Sequence, residues 1–143
     1  MLAEFVITPL VIACVLGESL HNADAYYFTA WVIRNRVEAK AWPDDAEGVA
    51  TQRLQFPAMN DPENVEKLLG YRKRHKILWE KAKAAIELAF IQRPFQDPTF
   101  GATHYVTETL YNSDRKGFWT KMRVTTVKHG HVYLAEPTSA NRR

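Results

Sequence analysis

The chain has 143 residues, 46% of them apolar and 24% charged, the proportions of one globular domain that buries a core without disulfide or metal staples. Wholesale disorder is excluded, and a single cysteine, Cys14, excludes an internal disulfide framework and fits a reducing cytosol. Charge is uneven: residues 1–65 hold four basic and nine acidic side chains, residues 66–143 fifteen and seven, so the second half suits an anionic polymer, whether nucleic acid or bacterial wall.

The first sixteen residues are strongly apolar, yet they contain Glu4 and Pro9, and no Lys or Arg precedes Arg34. A secretory signal needs a basic start and a small-residue cleavage site, and the run is too short to span a bilayer. It reads as a folded segment, in a protein made in the cytoplasm without a signal peptide. Thr8-Pro9 is a helix start, with Thr as N-cap and Pro in the first turn. The stretch from Leu10 to Gly17 is apolar nearly all round, which places that helix in the core. It ends near Gly17-Glu18, with Asn22 as a stop.

A second helix is predicted over 24–41, broken by Trp42-Pro43-Asp44-Asp45. Residues 48–60 lack periodicity and read as a loop or irregular short strand. Asp61-Pro62-Glu63 caps another helix that Gly70 closes, and a long amphipathic helix over 73–91 stops before Pro94, with Lys83 and Glu87 spaced to pair. Residues 96–101 form a turn-rich loop, residues 102–107 are extended, and a short helix lies around Phe118-Trp119. Residues 124–134 are rich in β-branched and aromatic types, interrupted by Gly130. The whole is α+β, predominantly α, with a small β element and residues 1–143 as a single domain.

Among chemistry-bearing residues Glu18 comes first. A carboxyl group among Val15, Leu16 and other apolar neighbours loses hydration, which raises its pKa and keeps it protonated. That state serves a general acid on a glycosidic oxygen, against the plainer reading of a helix-end Glu in water. His104, His129 and His131 could be imagined around zinc, the last two on one strand face. No carboxylate stands at a helpful spacing, so no metal is expected. Cys14 lies mid-helix and reads as a buried, inert thiol. Residues 72–76, Arg-Lys-Arg-His-Lys, read as a solvated helix face rather than a specific nucleic-acid patch.

Five segments in order resemble the SleB-type cell-wall hydrolase family, which includes spore-cortex-lytic enzymes. Val11-Ile12-Ala13-Cys14-Val15-Leu16-Gly17-Glu18-Ser19 is similar to its opening helix with a Gly-Glu-Ala-type ending. Ala30-Trp31-Val32-Ile33-Arg34-Asn35-Arg36-Val37 resembles its second helix with an Asn-Arg-Val ending. Gly48-Val49-Ala50-Thr51-Gln52, then Gln55-Phe56, resembles its Gln-Phe-Ser loop. Asp97-Pro98-Thr99-Phe100-Gly101-Ala102-Thr103-His104-Tyr105 is the most specific match, and Gly130-His131-Val132-Tyr133 resembles its closing strand. The likeness spans about residues 8 to 135.

The resemblance implies a lysozyme-like fold that cuts peptidoglycan glycan strands, with Glu18 as the acid and no cofactor. It implies that Gln55, Phe56, Thr103, His104 and Tyr105 line a saccharide groove, with His131 and Tyr133 lining it or supporting it. The sequence departs from the family where a second Gly-Glu is usual: Leu20-His21-Asn22-Ala23-Asp24 stands there, with Asp24 as a candidate second acid. Pro57 replaces the serine of Gln-Phe-Ser, and the segment 107–117 is longer than usual.

The activity so implied is cleavage between N-acetylmuramic acid and N-acetylglucosamine, as a lytic transglycosylase or, alternatively, as a water-using muramidase. A non-catalytic wall-binding module and a nucleic-acid binder are the rivals from other classes. A monomeric phage endolysin, released by a holin-type partner or carried in the virion, is the setting expected of such a domain.

Overall fold

The computed structural model describes residues 7–20, 22–52, 55–113 and 116–137. The readings made on residues 1–6 and on His21 lie outside these. The expected α+β architecture is present: helices form most of the domain and a three-stranded sheet closes it.

Helix α1 (Pro9–Glu18) starts as its sequence predicts, with Thr8 Oγ1 accepting from the Val11 N–H at 3.4 Å and Pro9 in the first turn. Residues Val11 to Leu16 are all buried, because a helix apolar on every side has no face to give to water. Cys14 is among them, an inert thiol as expected, and burial pushes its pKa well up. A 3-10 turn (Ala23–Ala25) leads into α2 (Tyr26–Glu38). Arg34 ties α2 to the end of the long helix α6 (Lys76–Ile91): it pairs with Glu38 at 3.1 Å and donates to the carbonyls of Ala89, at 2.7 Å, and Gln92. Among the described residues this is the ion pair formed, in place of the predicted Lys83–Glu87 pair.

Residues 48–51 are helical rather than the predicted loop or strand, while the described residues from 52 to 60 are loop and turn as expected. The stretch holds most of α3 (Ala46–Thr51) and a 3-10 turn (Pro57–Met59). Asp45 caps α3 by accepting from the Gly48 N–H at 2.6 Å, but fewer than two turns leave no periodicity to read. Helix α4 (Pro62–Leu69) starts on its Asp61 cap as predicted. The helix expected over 73–91 is instead two, α5 (Tyr71–Arg74) and α6, because His75 leaves helical geometry at φ −136°, ψ 60°. Tyr71 and Trp79, on either side of the break, both reach the main core. Residues 72–76 are exposed, as a solvated face should be.

The sheet is antiparallel in the order β1-β3-β2, from β1 (His104–Thr107), β2 (Arg123–Lys128) and β3 (His131–Ala135). His129 and Gly130 both have positive φ, 55° and 76°, and form the two-residue turn between β2 and β3. Gly130 therefore closes a hairpin, and His129 lies off the strand rather than sharing a face with His131. The segment 107–117 carries a short helix α7 (Glu108–Ser113), and a 3-10 turn (Phe118–Lys121) matches the predicted one.

Strand β1 lies at the edge of the sheet and serves two cores. Tyr105 packs towards the main cluster around α1, while Val106 joins Trp119, Val132, Leu134 and Met122 in a second cluster. This is the alternation of a strand, and it puts β1 along the floor of the cleft described next.

Candidate active site

A cleft of about 1010 Å³ is lined by Glu18 and residues 55–58, by β1, and by residues of α7, the 3-10 turn at Phe118–Lys121 and the segment just after β3. Tyr105 faces Glu18 whereas Val106 faces the second cluster, so alternation along β1 sets Glu18 and that cluster on opposite sides of the strand. Glu18 is the last residue of α1 and is half-buried. Tyr105 donates its hydroxyl to Glu18 Oε1 at 2.6 Å, and the Ala58 backbone N–H donates to Oε2 at 2.9 Å. Burial raises the Glu18 pKa; the Tyr105 and Ala58 hydrogen bonds and the nearby Arg36 charge oppose it, and burial prevails. The side chain is thus a carboxyl group held by two hydrogen bonds at the edge of a trench, with burial favouring its protonated form.

Gly17 explains how the Ala58 donor comes so close. A Cβ there would stand 2.6 Å from Leu68 Cδ1 and 2.7 Å from the Ala58 Cβ, so only glycine lets α1 meet both. Gly17→Ala is expected to push the Ala58 turn away from Glu18 and to cost about 1–3 kcal/mol by overpacking. Thermal denaturation measures the stability loss, and an undiminished Tm would refute the packing argument.

The neighbouring pair Asn35-Arg36 on α2 sets the height of β1. Buried Asp97 accepts from the Thr99 N–H and hydroxyl, both at 2.7 Å, and from the Gly101 N–H and the Asn35 amide, both at 2.8 Å. The Asn35 amide also reaches the Ala102 carbonyl at 2.9 Å, and Arg36 Nε donates to the Thr103 carbonyl at 2.6 Å. Phe100 and Gly101 turn the chain at positive φ, 55° and 86°, and the next residues launch β1 towards Glu18. The Arg36 guanidinium lies over the Trp42 and Phe56 rings at 4.2 and 4.7 Å. Burial lowers its pKa to about 10, against the raising influence of Tyr105, Cys14 and Glu18, so it stays charged at neutral pH.

Of the residues predicted to line a groove, Gln55, Phe56, His104, Tyr105 and His131 border the cleft with Glu18. Thr103 and Tyr133 stand behind it. Thr103 is buried, its hydroxyl 3.0 Å from His104 Nδ1, and Tyr133 is buried against Phe28 and Tyr105. Asp24 is exposed in the 3-10 turn before α2 and borders neither the cleft nor the smaller hollow beside Glu18. Its nearness in sequence to Glu18 does not become nearness at the cleft.

His104 is pushed down to about 4 by burial and then by Arg36, and His131 is lowered by burial and by the His129 charge, more than the His129 carbonyl restores. His104 is therefore neutral at pH 7, and burial disfavours the proton on His131. Among the described residues no three His, Cys, Asp or Glu side chains gather as metal ligands.

Residue-by-residue reading passed over Arg36, Trp42, the Ala58 N–H and Glu136, all at the cleft. Arg36 alone carries a signal, as a charge set among apolar residues of a core helix. If the Tyr105 hydroxyl holds Glu18 down as its bond requires, Tyr105→Phe raises the acid's pKa further. The alkaline limb of the pH–rate profile then moves to higher pH, with a rate loss of about tenfold at the optimum. A limb that stays put, or moves to lower pH, would refute this.

Fold and site together define a class, an α+β domain of lysozyme-like build with a hydrogen-bonded, partly buried glutamate at the edge of a cleft. The chain belongs to the cell wall hydrolase family, whose model matches residues 22–134, and is thus an enzyme acting on peptidoglycan. The matched stretch begins after Glu18. Among solved structures it is similar to the catalytic domain of the Bacillus cereus SleB protein, at 20% identity over 89% of this chain and 88% of that one, with a TM-score of 0.64. It is similar also to the catalytic domain of the germination-specific lytic transglycosylase SleB from Bacillus anthracis, at 21% identity over 89% and 92%, with a TM-score of 0.66. At such identities the likeness is one of fold. No curated protein matches. Among the described residues no helix is long and apolar enough to cross a membrane.

Proposed function

We propose that the chain cuts peptidoglycan between N-acetylmuramic acid and N-acetylglucosamine as a lytic transglycosylase, with Glu18 as acid and then base. The observation that carries this reading is the hydrogen-bonded, dehydrated Glu18 carboxyl facing the cleft. Glu18 gives its proton to the bridging oxygen as the bond from muramic C1 breaks and positive charge develops on the ring. The substrate's own acetamido oxygen supports that charge. The Glu18 carboxylate, oriented by Tyr105 and Ala58, then takes the proton of the muramic six-hydroxyl, whose oxygen closes on C1. The acid is restored, no water is consumed and the product ends in a 1,6-anhydro ring.

A water-using route calls for a second carboxylate. Asp24 does not border the cleft, whereas Glu136 does, and hydrolysis through it is the alternative reading. Mass spectrometry of fragments released from purified sacculi separates the two. Anhydromuramic ends are expected, and reducing muramic ends in their place would establish the hydrolase instead.

A further inference from the structure

We propose that the two walls of the cleft recognise different parts of the substrate, and that the wall opposite Glu18 binds the peptide stem carried by muramic acid. The inference rests on the glycan-cleaving reading above and names what else the same cleft holds.

The walls differ in chemistry. Beside Glu18 stand Gln55, Tyr105 and His131, polar groups that donate and accept as sugar hydroxyls and acetamides require. Opposite them, Leu110, Phe118 and Met122 offer apolar surface, with Leu110 42% and Phe118 54% exposed. Phe118 is held in place by ring contacts to His104 at 5.4 Å and Trp119 at 5.2 Å. Lys121 and Glu136, both exposed, place one charge of each sign on this wall.

A sugar ring laid there would find few partners for its hydroxyls and would leave the two charges unused. A wall stem is a short peptide with small apolar side chains, free carboxylates and, where it contains a diamino acid, a free amine. Its methyl groups match the apolar surface, its carboxylates match Lys121 and its amine matches Glu136. The covalent geometry agrees, because the stem leaves the sugar sideways from the lactyl group. A strand laid along the Glu18 wall with its lactyl group turned inward sends its stem across β1.

The test compares two substrates, sacculi with stems intact and the same sacculi stripped of stems by an amidase. The wild-type protein is expected to cut intact strands about tenfold faster, in kcat/KM, than stripped ones. Lys121→Glu, and separately Phe118→Ser, should lower the rate on intact strands about fivefold to tenfold, so that the preference shrinks towards unity. Both residues are exposed enough for the variants to fold, and circular dichroism checks this. Equal cleavage of both substrates by the wild type, or a preference that neither variant moves, would overturn the stem-binding wall and leave glycan cleavage standing. Failure of the wild type to cut either substrate would overturn the glycan-cleaving reading, and this one with it.

Discussion

Glu18→Gln is expected to lower release of fragments from purified sacculi by about a thousandfold, while the protein stays folded. Glutamine has the shape of the protonated acid but no proton to give, so the loss isolates proton transfer from packing. The sign of the stability change is a second check. Folding raises the Glu18 pKa, so the native state holds this proton more tightly than the unfolded chain does. The wild type carries no penalty below the ordinary carboxylate pKa and loses stability as pH rises through the raised value. The Gln variant does not titrate there. Its Tm should gain on that of the wild type between pH 4 and pH 8. Unchanged lysis would remove Glu18 from the mechanism, and a relative Tm falling with pH would contradict the burial argument.

The second large effect belongs to Asp97, which does not itself border the cleft. Asp97→Ala removes the acceptor for four donors, from Thr99 (two), Gly101 and Asn35, in a place where water does not readily replace it. A loss of about 3–5 kcal/mol is expected in denaturant titration, because several buried donors lose their acceptor together. Asp97→Asn keeps one acceptor oxygen and should lose about half as much. Because this loop launches β1, both variants should also lower activity at temperatures where they remain folded. A loss under about 1 kcal/mol for Asp97→Ala would mean that the loop is held by something else.

What could be read in the sequence was whatever physics is local. The Thr8-Pro9 and Asp61-Pro62 starts are written in adjacent residues, and the burial of α1 follows from its having no polar face. Glu18 stood out for the same reason, as a carboxyl group at the end of an apolar run. The helix α3 escaped because six residues give no period, and the break at His75 because no Gly or Pro marks it. The wall opposite Glu18 escaped for another reason. Leu110, Phe118, Met122 and Glu136 belong to separate segments that the pairing of β1 and β2 with β3 gathers beside one trench. Asp24 illustrates the converse error, since six positions along the chain carry it from the end of a buried helix to an exposed turn.

The placement of Glu18 as the final residue of α1 has a consequence that no side-chain substitution exposes. The aligned peptide dipoles of a helix leave a partial negative charge at its C-terminus, a field that disfavours an anion there and so favours the protonated acid. The carbonyls of the last turn of α1, which lack partners within the helix, are the groups that act on the carboxyl. An alanine scan of the cleft would leave that contribution untouched, and only a change in the helix's length or its final hydrogen bonds would alter it.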